Sequence, residues 1–354
     1  MTSPSLIFGS ILLAFSPAFA LLVVIVSHKP QLVILAVCSA FAYLLSALCS
    51  SLFWLITSAI FGSDHGGGGI GALLALALPG VFCQMAARCS FVGGYFRVES
   101  VIRRSVARHE EERQVAMAAA SSSSDGDGDG DDRLAESHAE TDALQLQLND
   151  LSCSIASGCG YALLHSLFLY GTLLASESGE VNSYDGGHYV GGGGSTGHGG
   201  TLYQSSCGGI PSLINGALIA CMFAILDVMW MMLCFFGMRR RSSGRHSAAH
   251  PGRESSAGTM RALARALSCR GLDDASSSSG DGGGGAAILL VAITHLAASL
   301  VLAPNGREDG CKISLPCLGV VVLWVGIVLG RTMKGGKFLP DDQRRRIQGM
   351  RHMC

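Results

Sequence analysis

The sequence predicts an all-α membrane protein built as a bundle of seven transmembrane helices. Of its 354 residues, 49% are hydrophobic and only 14% are charged, and the charged residues are concentrated between long apolar runs. Seven runs have about 18 or more residues, which is enough to cross a hydrocarbon core of roughly 30 Å. Because every backbone N–H and C=O inside a bilayer needs an internal partner, each run should be a helix. The predicted spans are Leu6–Val26, Leu32–Phe61, Ile70–Phe96, Leu151–Ala175, Ile210–Met238, Ala286–Ala303 and Ile313–Gly330.

The distribution of basic residues predicts the orientation of the bundle. Nearly all of the 25 Lys and Arg residues follow the first, third, fifth and seventh spans. Basic residues stay in the cytosol, so we expect a luminal or extracellular amino terminus and a cytosolic carboxyl terminus. Ala18-Phe19-Ala20 looks like a signal-peptidase site, but no basic residue precedes the apolar run that contains it. The predicted organisation is spans 1–3 in 1–97, a cytosolic low-complexity loop in 98–150, spans 4–5 in 151–238 with a Gly-rich luminal loop at 176–209, a second cytosolic low-complexity loop in 239–285, spans 6–7 in 286–330 and a basic cytosolic tail in 331–354.

The fourth span carries a ridge of small side chains. Gly158, Ala162 and Ser166 recur every four residues and therefore share one face of a helix. In lipid such a face lets another helix backbone come close, so we expect this span to be surrounded by other helices. His165 lies beside the ridge near the middle of the span, where a polar ring should face protein or trapped water.

Two further spans carry ionisable residues at similar depth, Asp227 in the fifth and His295 in the sixth. An unpaired carboxylate in the bilayer is costly, so Asp227 is expected to be protonated or to find a donor. His295 is the expected partner and His165 the second candidate. One interpretation is a buried hydrogen bond that orders three helices, and the other is a proton or ion pathway.

The third span contains Gln84 and Arg88, one turn apart on one face. Arg88 could extend its side chain to the inner headgroups. Alternatively, it could make a polar contact with another helix or another subunit.

The loops contain two candidate sites. Asp125, Asp127, Asp129 and Gly130, with Glu136 as the twelfth residue, fit the pattern of a calcium-binding loop. Repetitive Asp-Gly sequence is more often a solvated linker, which is the preferred interpretation of 125–136.

Cys207 and Cys311 are the cysteines predicted to lie in luminal loops. Because the lumen is oxidising, we predict that they form a disulfide.

The pattern resembles the anterior-pharynx-defective family, the multi-span subunit of γ-secretase. The first span and its turn, FGSILLAFSPAFALLVVIVSHKPQLVIL, are similar to the start of that family, with its F-x-P-A-F-A-L core. Gln84 and Arg88 fit a Q-E-x-x-R turn, and Trp54 lies in a similar LFWLI. His295 and the segment GCKISLPCL resemble the sixth and seventh helices of the family. The chain departs from the family at Met85, where a glutamate is expected, and at Asp227, where a histidine is expected.

The resemblance implies a non-catalytic subunit that supports the assembly of a protease complex. Its implied partners are a presenilin-like catalytic subunit, a nicastrin-like subunit and a presenilin enhancer subunit, in the endoplasmic reticulum, Golgi and plasma membrane. The complex would cleave single-span proteins, as in Notch signalling. The residues that would support helix packing and assembly are Gly158, Ala162, Ser166, His165, Asp227, His295, Gln84 and Arg88.

Other membrane functions fit the residues less well. Intramembrane aspartyl cleavage needs two carboxylates in one site, and only Asp227 lies within a predicted span. A seven-helix receptor or a small-solute transporter is the alternative function. The seventh span lacks the Asn and Tyr of an N-P-x-x-Y receptor motif, and no repeat of a transporter kind is evident. No cofactor, catalytic residue, metal site or nucleic-acid partner is predicted, and membrane lipid is expected around the helices.

Overall fold

The computed structural model describes residues 4–61, 70–121, 150–182, 210–248, 282–306 and 310–334. All regular structure in these residues is helical. The α-helices are α1 Pro4–Leu21, α2 Pro30–Phe61, α3 Ile70–Ser121, α4 Asp150–Asn182, α5 Ser212–Ala248, α6 Gly282–Val301 and α7 Cys311–Lys334.

Six helices are long and apolar enough to cross a membrane, judged by length and composition. They are α1 and its continuation, α2, α4, α5, α6 and α7, and they coincide with six of the predicted spans. The third predicted span lies in α3, whose side chains are described from Ala77 onward. An all-helical membrane protein is therefore confirmed for the described residues, while the crossing by α3 and the orientation stay predictions.

Several helices are longer than the spans predicted for them. α3 continues past Phe96 to Ser121, α4 past Ala175 to Asn182, and α5 past Met238 to Ala248. The predicted loops therefore begin as helix. The added part of α3 is rich in Arg, Glu and Ala, which favour helix in water as well as in lipid, and it contains no Gly or Pro to end it.

α5 lies at the centre of the bundle. It packs against α1, α3, α4, α6 and α7, and most of its membrane-spanning length is buried. Its sequence is apolar on all sides between residues 217 and 238 apart from Asp227, as expected for a helix surrounded by others. α4 is the second inner helix and lies between α1 and α2.

α1 ends in a change of helical form. Leu22–Val26 form a π-helical turn, closed by a hydrogen bond of 2.8 Å from the Ser27 backbone nitrogen to the Leu22 oxygen. Ser27 Oγ also donates to the Val23 oxygen at 2.6 Å. These bonds pair polar groups at the end of the helix. α2 begins three residues after Ser27, at Pro30, a favourable residue for a first turn.

Candidate functional site: a buried polar cluster

The polar centre of the bundle is an ion pair between α3 and α5. Arg88 Nη2 donates to Asp227 Oδ1, and both side chains are completely buried. The Arg88 side chain therefore does not extend to the headgroups, and it contacts another helix, as in the second of the two interpretations. A buried arginine and carboxylate compensate each other's charge inside a medium that disfavours either alone.

Two histidines complete the cluster from α4 and α6. His165 Nδ1 lies 2.6 Å from Asp227 Oδ2 and donates its proton to that oxygen. His295 Nδ1 lies 3.2 Å from Arg88 Nη1. Since a guanidinium is only a donor, His295 accepts at Nδ1. Both oxygens of Asp227 are thus bonded, and side chains from α3, α4, α5 and α6 meet at one place.

The prediction that Asp227 contacts His295 directly is wrong. Arg88 lies between them, bonded to Asp227 on one side and to His295 on the other. The sequence indicated that Asp227 needs a donor, and the structure supplies two, Arg88 and His165. A guanidinium has several N–H donors in a fixed plane, which allows it to bridge a carboxylate and an imidazole.

Aromatic rings enclose the cluster. The Arg88 guanidinium carbon lies 4.4 Å from the centre of the Tyr161 ring and 5.1 Å from that of Trp230. The ring centres of Tyr43 and His165 are 5.1 Å apart in a stacked arrangement. Such faces attract a cation and exclude water at once. Sequence reasoning missed these aromatic residues because an aromatic side chain in an apolar run carries no polar signal.

Gln84 adjoins the cluster through its main chain. Its backbone oxygen lies 3.3 Å from the Tyr161 hydroxyl, which donates to it. Its side-chain Oε1 and the Arg88 Nε are both buried and have no partner in the described part of the chain. The structure therefore connects His165, Asp227, Arg88 and His295 through successive contacts, with Gln84 adjoining through its main chain.

The ridge of α4 is used inside the chain. Gly158, Ala162 and Ser166 are all fully buried or nearly so. A Cβ added to Gly158 would lie 2.7 Å from Val228 Cα on α5, and Ser166 Oγ lies 3.5 Å from the Ala220 oxygen. Small side chains here let α4 approach the central helix. The ridge therefore packs against α5 within the chain, and its role in the assembly of a complex stays a prediction.

A second close approach on α4 was missed from the sequence. A Cβ added to Gly160 would overlap the backbone oxygen of Ala36 on α2. Gly158 and Gly160 are two residues apart and so lie on nearly opposite sides of the helix. The pair Gly-x-Gly therefore lets α4 fit between two neighbours, and this spacing was the available signal.

A second ion cluster joins the ends of three helices. Arg239 on α5 donates to both oxygens of Asp150 at the start of α4. It also donates to Glu99 on α3, at 2.9 Å to Oε2, and its guanidinium carbon lies 4.4 Å from the Phe96 ring centre. Sequence reasoning missed this cluster because it assigned Glu99 and Asp150 to a low-complexity loop.

The comparison with protein families places these features in a known group. The family model described as Aph-1 protein matches residues 5–190, more than half of the chain. The chain belongs to the Aph-1 family. No curated protein matches it.

Aph-1 is a subunit of γ-secretase, and the match covers much of the polar cluster in this Aph-1 chain. Gln84, Arg88, Gly158 and His165 lie inside the matched residues, whereas Asp227 and His295 lie beyond them. Membership in the family is therefore carried by α1 to α4, and the geometry adds α5 and α6 to the same cluster.

Two predictions for the loops of this Aph-1 chain concern residues outside the described ranges. Cys311 takes part in a disulfide, but Cys207 lies outside those ranges, so their pairing stays a prediction. The calcium pattern at 125–136 also lies outside them. Among the described residues, no group of three or more His, Cys, Asp or Glu side chains could hold a metal ion.

Proposed function

We propose that this chain is the scaffold subunit of a γ-secretase-type intramembrane aspartyl protease. In this role it supports the assembly and stability of a presenilin-like catalytic subunit and a nicastrin-like subunit, together with a presenilin enhancer subunit. The observation that carries the proposal is the family match over residues 5–190. The complex would act on single-span membrane proteins.

The buried cluster supports a structural role. Aspartyl proteolysis requires two carboxyl groups that share one site and exchange a proton. The cluster holds a single carboxylate, Asp227, and both of its oxygens are bonded to Arg88 and His165. Glu99 and Asp150, the other buried carboxylates of the described helices, are bonded to Arg239 at the helix ends. In this arrangement carboxylates hold helices together instead of facing a substrate.

The outer surface supports a role in the membrane. Large apolar side chains are exposed along α2 and α7, among them Phe41, Leu48, Val320 and Trp324. An integral multi-pass protein can cover such surfaces with lipid or with the spans of partner subunits. We propose that the endoplasmic reticulum, the Golgi and the plasma membrane are the compartments where this occurs.

The proposal is tested in cells from which the chain has been removed. Re-expression of the intact chain should restore the level of the presenilin-like subunit and the cleavage of a single-span reporter. A variant of the presenilin-like subunit without its aspartates, expressed with the chain, serves as the control and should give assembly without cleavage. If the reporter were cleaved equally with and without the chain, the proposed role would be wrong.

A further inference from the structure

The extension of α3 carries an exposed stripe of arginines. Arg97, Arg104 and Arg108 are all exposed, and their spacings of seven and four residues place them on one face of the helix, within about 40° of each other. Glu99 lies on nearly the opposite face, where it is buried and bonded to Arg239. The arginine stripe therefore faces away from the bundle.

The ion cluster of Arg239 indicates where this stripe begins relative to the membrane. The candidate span of α5 ends at Arg241, and Glu99 is joined to Arg239 at that level. Arg97 is two residues before Glu99, and Arg104 lies about 10 Å further along the helix axis at 1.5 Å per residue. The headgroup layer is about 5–8 Å thick on each side. Side chains of a helix lean toward its amino terminus, so Arg104 leans back toward the membrane.

Apolar side chains lie next to these arginines. Val98, Val101 and Ile102 are 58%, 62% and 44% exposed, although they are at or just beyond the end of the spanning part. Water disfavours such a surface, and the boundary between acyl chains and headgroups accommodates it. Arginine stems can lie on the same apolar surface while the guanidinium reaches a phosphate.

The charges of these arginines are not compensated within the described chain. The two buried carboxylates closest to this level, Glu99 and Asp150, both bind Arg239. Glu111 lies about 10 Å beyond Arg104 along the helix, a distance comparable to the Debye length in cells. Arg108 differs, because Glu111 and Glu112 both follow it within about one helical turn. Glu112 Oε2 also lies 3.4 Å from His109 Nδ1.

We propose that Arg97 and Arg104 form a binding site for the phosphate of an anionic lipid headgroup. The site belongs to the leaflet at which the predicted spanning part of α3 and the candidate span of α5 end, the cytosolic leaflet in the predicted orientation. Guanidinium groups bind phosphate oxygens in pairs of parallel hydrogen bonds, and the neighbouring valines and isoleucine contact the first acyl carbons. This site is independent of the proposed role in γ-secretase, since it requires only the chain and the bilayer.

The test uses the purified full chain in a mild detergent, with equal amounts of phosphatidylserine and phosphatidylcholine. Native mass spectrometry then counts the lipids retained by the intact chain and by two variants. The double variant Arg97→Gln, Arg104→Gln removes the site, and Arg108→Gln is the matched control on the same helix face. Circular dichroism of each variant reports whether the helices are preserved.

The intact chain should retain more phosphatidylserine than phosphatidylcholine. Each arginine removed from the site should lower the ratio of retained phosphatidylserine to phosphatidylcholine about fivefold. Arg108→Gln should leave this ratio unchanged. Equal retention of both lipids by the intact chain would overturn the proposal and would leave an acidic protein segment as the ligand of these arginines. A folded double variant with unchanged preference would also overturn it. Soluble phosphoserine at the same concentration should not compete, since the acyl contacts are part of the site.

Discussion

At the scale of single residues, the centre of the bundle depends on the compensation of Arg88 by Asp227. Neither side chain has access to solvent, so each charge relies on the other. Replacing Asp227 by Leu leaves a buried guanidinium without its counter-ion, which typically costs about 3–5 kcal/mol. We expect Asp227→Leu to lower the thermal unfolding temperature in detergent and the yield of assembled complex.

The double variant Arg88→Leu, Asp227→Leu is the control for this prediction. It removes both charges, and replacing a buried ion pair by apolar side chains is often nearly neutral. The double variant should therefore be more stable than Asp227→Leu alone. If Asp227→Leu unfolded at the temperature of the unmodified chain, the ion pair would have no stabilising role.

His295→Leu tests the contact between α3 and α6 in the cluster. This change keeps the bond between Arg88 and Asp227 but removes the acceptor of one Arg88 N–H. A lost hydrogen bond to a charged group typically costs about 1.5–3 kcal/mol, less than the loss of the counter-ion. The thermal unfolding temperature should therefore be highest for the unmodified chain, lower for His295→Leu and lowest for Asp227→Leu. The reverse order of the two variants would contradict the assigned contacts.

The sequence indicates the members of this cluster better than their pairing. Arg88, His165, Asp227 and His295 stand out because polar side chains within apolar runs are rare and must face protein. Their partners depend on how far each helix is shifted and rotated against the next. That register is set by packing across several helices, so Arg88 could not be placed between Asp227 and His295 from sequence spacing alone.

At the scale of helices, the glycines of α4 decide how closely it packs. A Cβ at Gly160 would overlap the backbone of α2, whereas a Cβ at Gly171 would meet only Leu167 Cδ1 at an ordinary 3.6 Å. Gly160→Ala should therefore destabilise the bundle by about 1–3 kcal/mol through overpacking. Gly171→Ala on the same helix should be neutral or slightly stabilising, because alanine favours helix. Thermal unfolding of both variants in one detergent checks this, and equal effects would contradict the packing of α4 on α2.

The contacts of Arg239 lead to a corresponding prediction for the ends of the helices that it joins. It joins Glu99 of α3, Asp150 of α4 and its own helix α5. Arg239→Gln should lower the stability by about 1–3 kcal/mol, because two carboxylates lose their charged donor. Arg240→Gln is the control, since Arg240 is exposed. Hydrogen exchange of the first turn of α4 should increase in Arg239→Gln and stay unchanged in Arg240→Gln. Unchanged exchange in both would show that the cluster does not hold these ends.

The lengths of the helices show that apolar runs predict where a chain crosses the membrane better than they predict where its helices end. A search for uncharged runs ends at Phe96, Ala175 and Met238, because charged or polar residues follow. The helices continue, since Arg, Glu and Ala support helix outside lipid as well. The ion cluster of Arg239 and the arginine stripe of α3 both lie at these continued ends.

At the scale of the whole molecule, the predicted orientation places Cys207 and Cys311 on the oxidising side of the membrane. We predict that Cys311, which is disulfide-bonded, has Cys207 as its partner. Mass spectrometry of the chain, alkylated without reductant, should find one peptide pair that contains both residues. Free Cys317, close to Cys311 in the chain and exposed, is an internal control that should be alkylated. Finding Cys207 alkylated without reductant would contradict both the pairing and the compartment.

The helical class and six of the spans follow from apolar run length, because lipid requires every backbone group to be satisfied within a helix. What could not be derived is the central position of α5. The position follows from contacts with five other helices, whereas a sequence that is apolar on all sides also suits a span surrounded by lipid. Asp227 was the one local sign that this helix is surrounded.

The most direct measurement of the central claim is affinity purification of the full chain in a mild detergent, followed by mass spectrometry of the bound proteins. We predict that presenilin-like and nicastrin-like subunits co-purify with the intact chain and that their amounts are reduced with Asp227→Leu. A chain that migrates as a lone monomer, with neither subunit present, would contradict it.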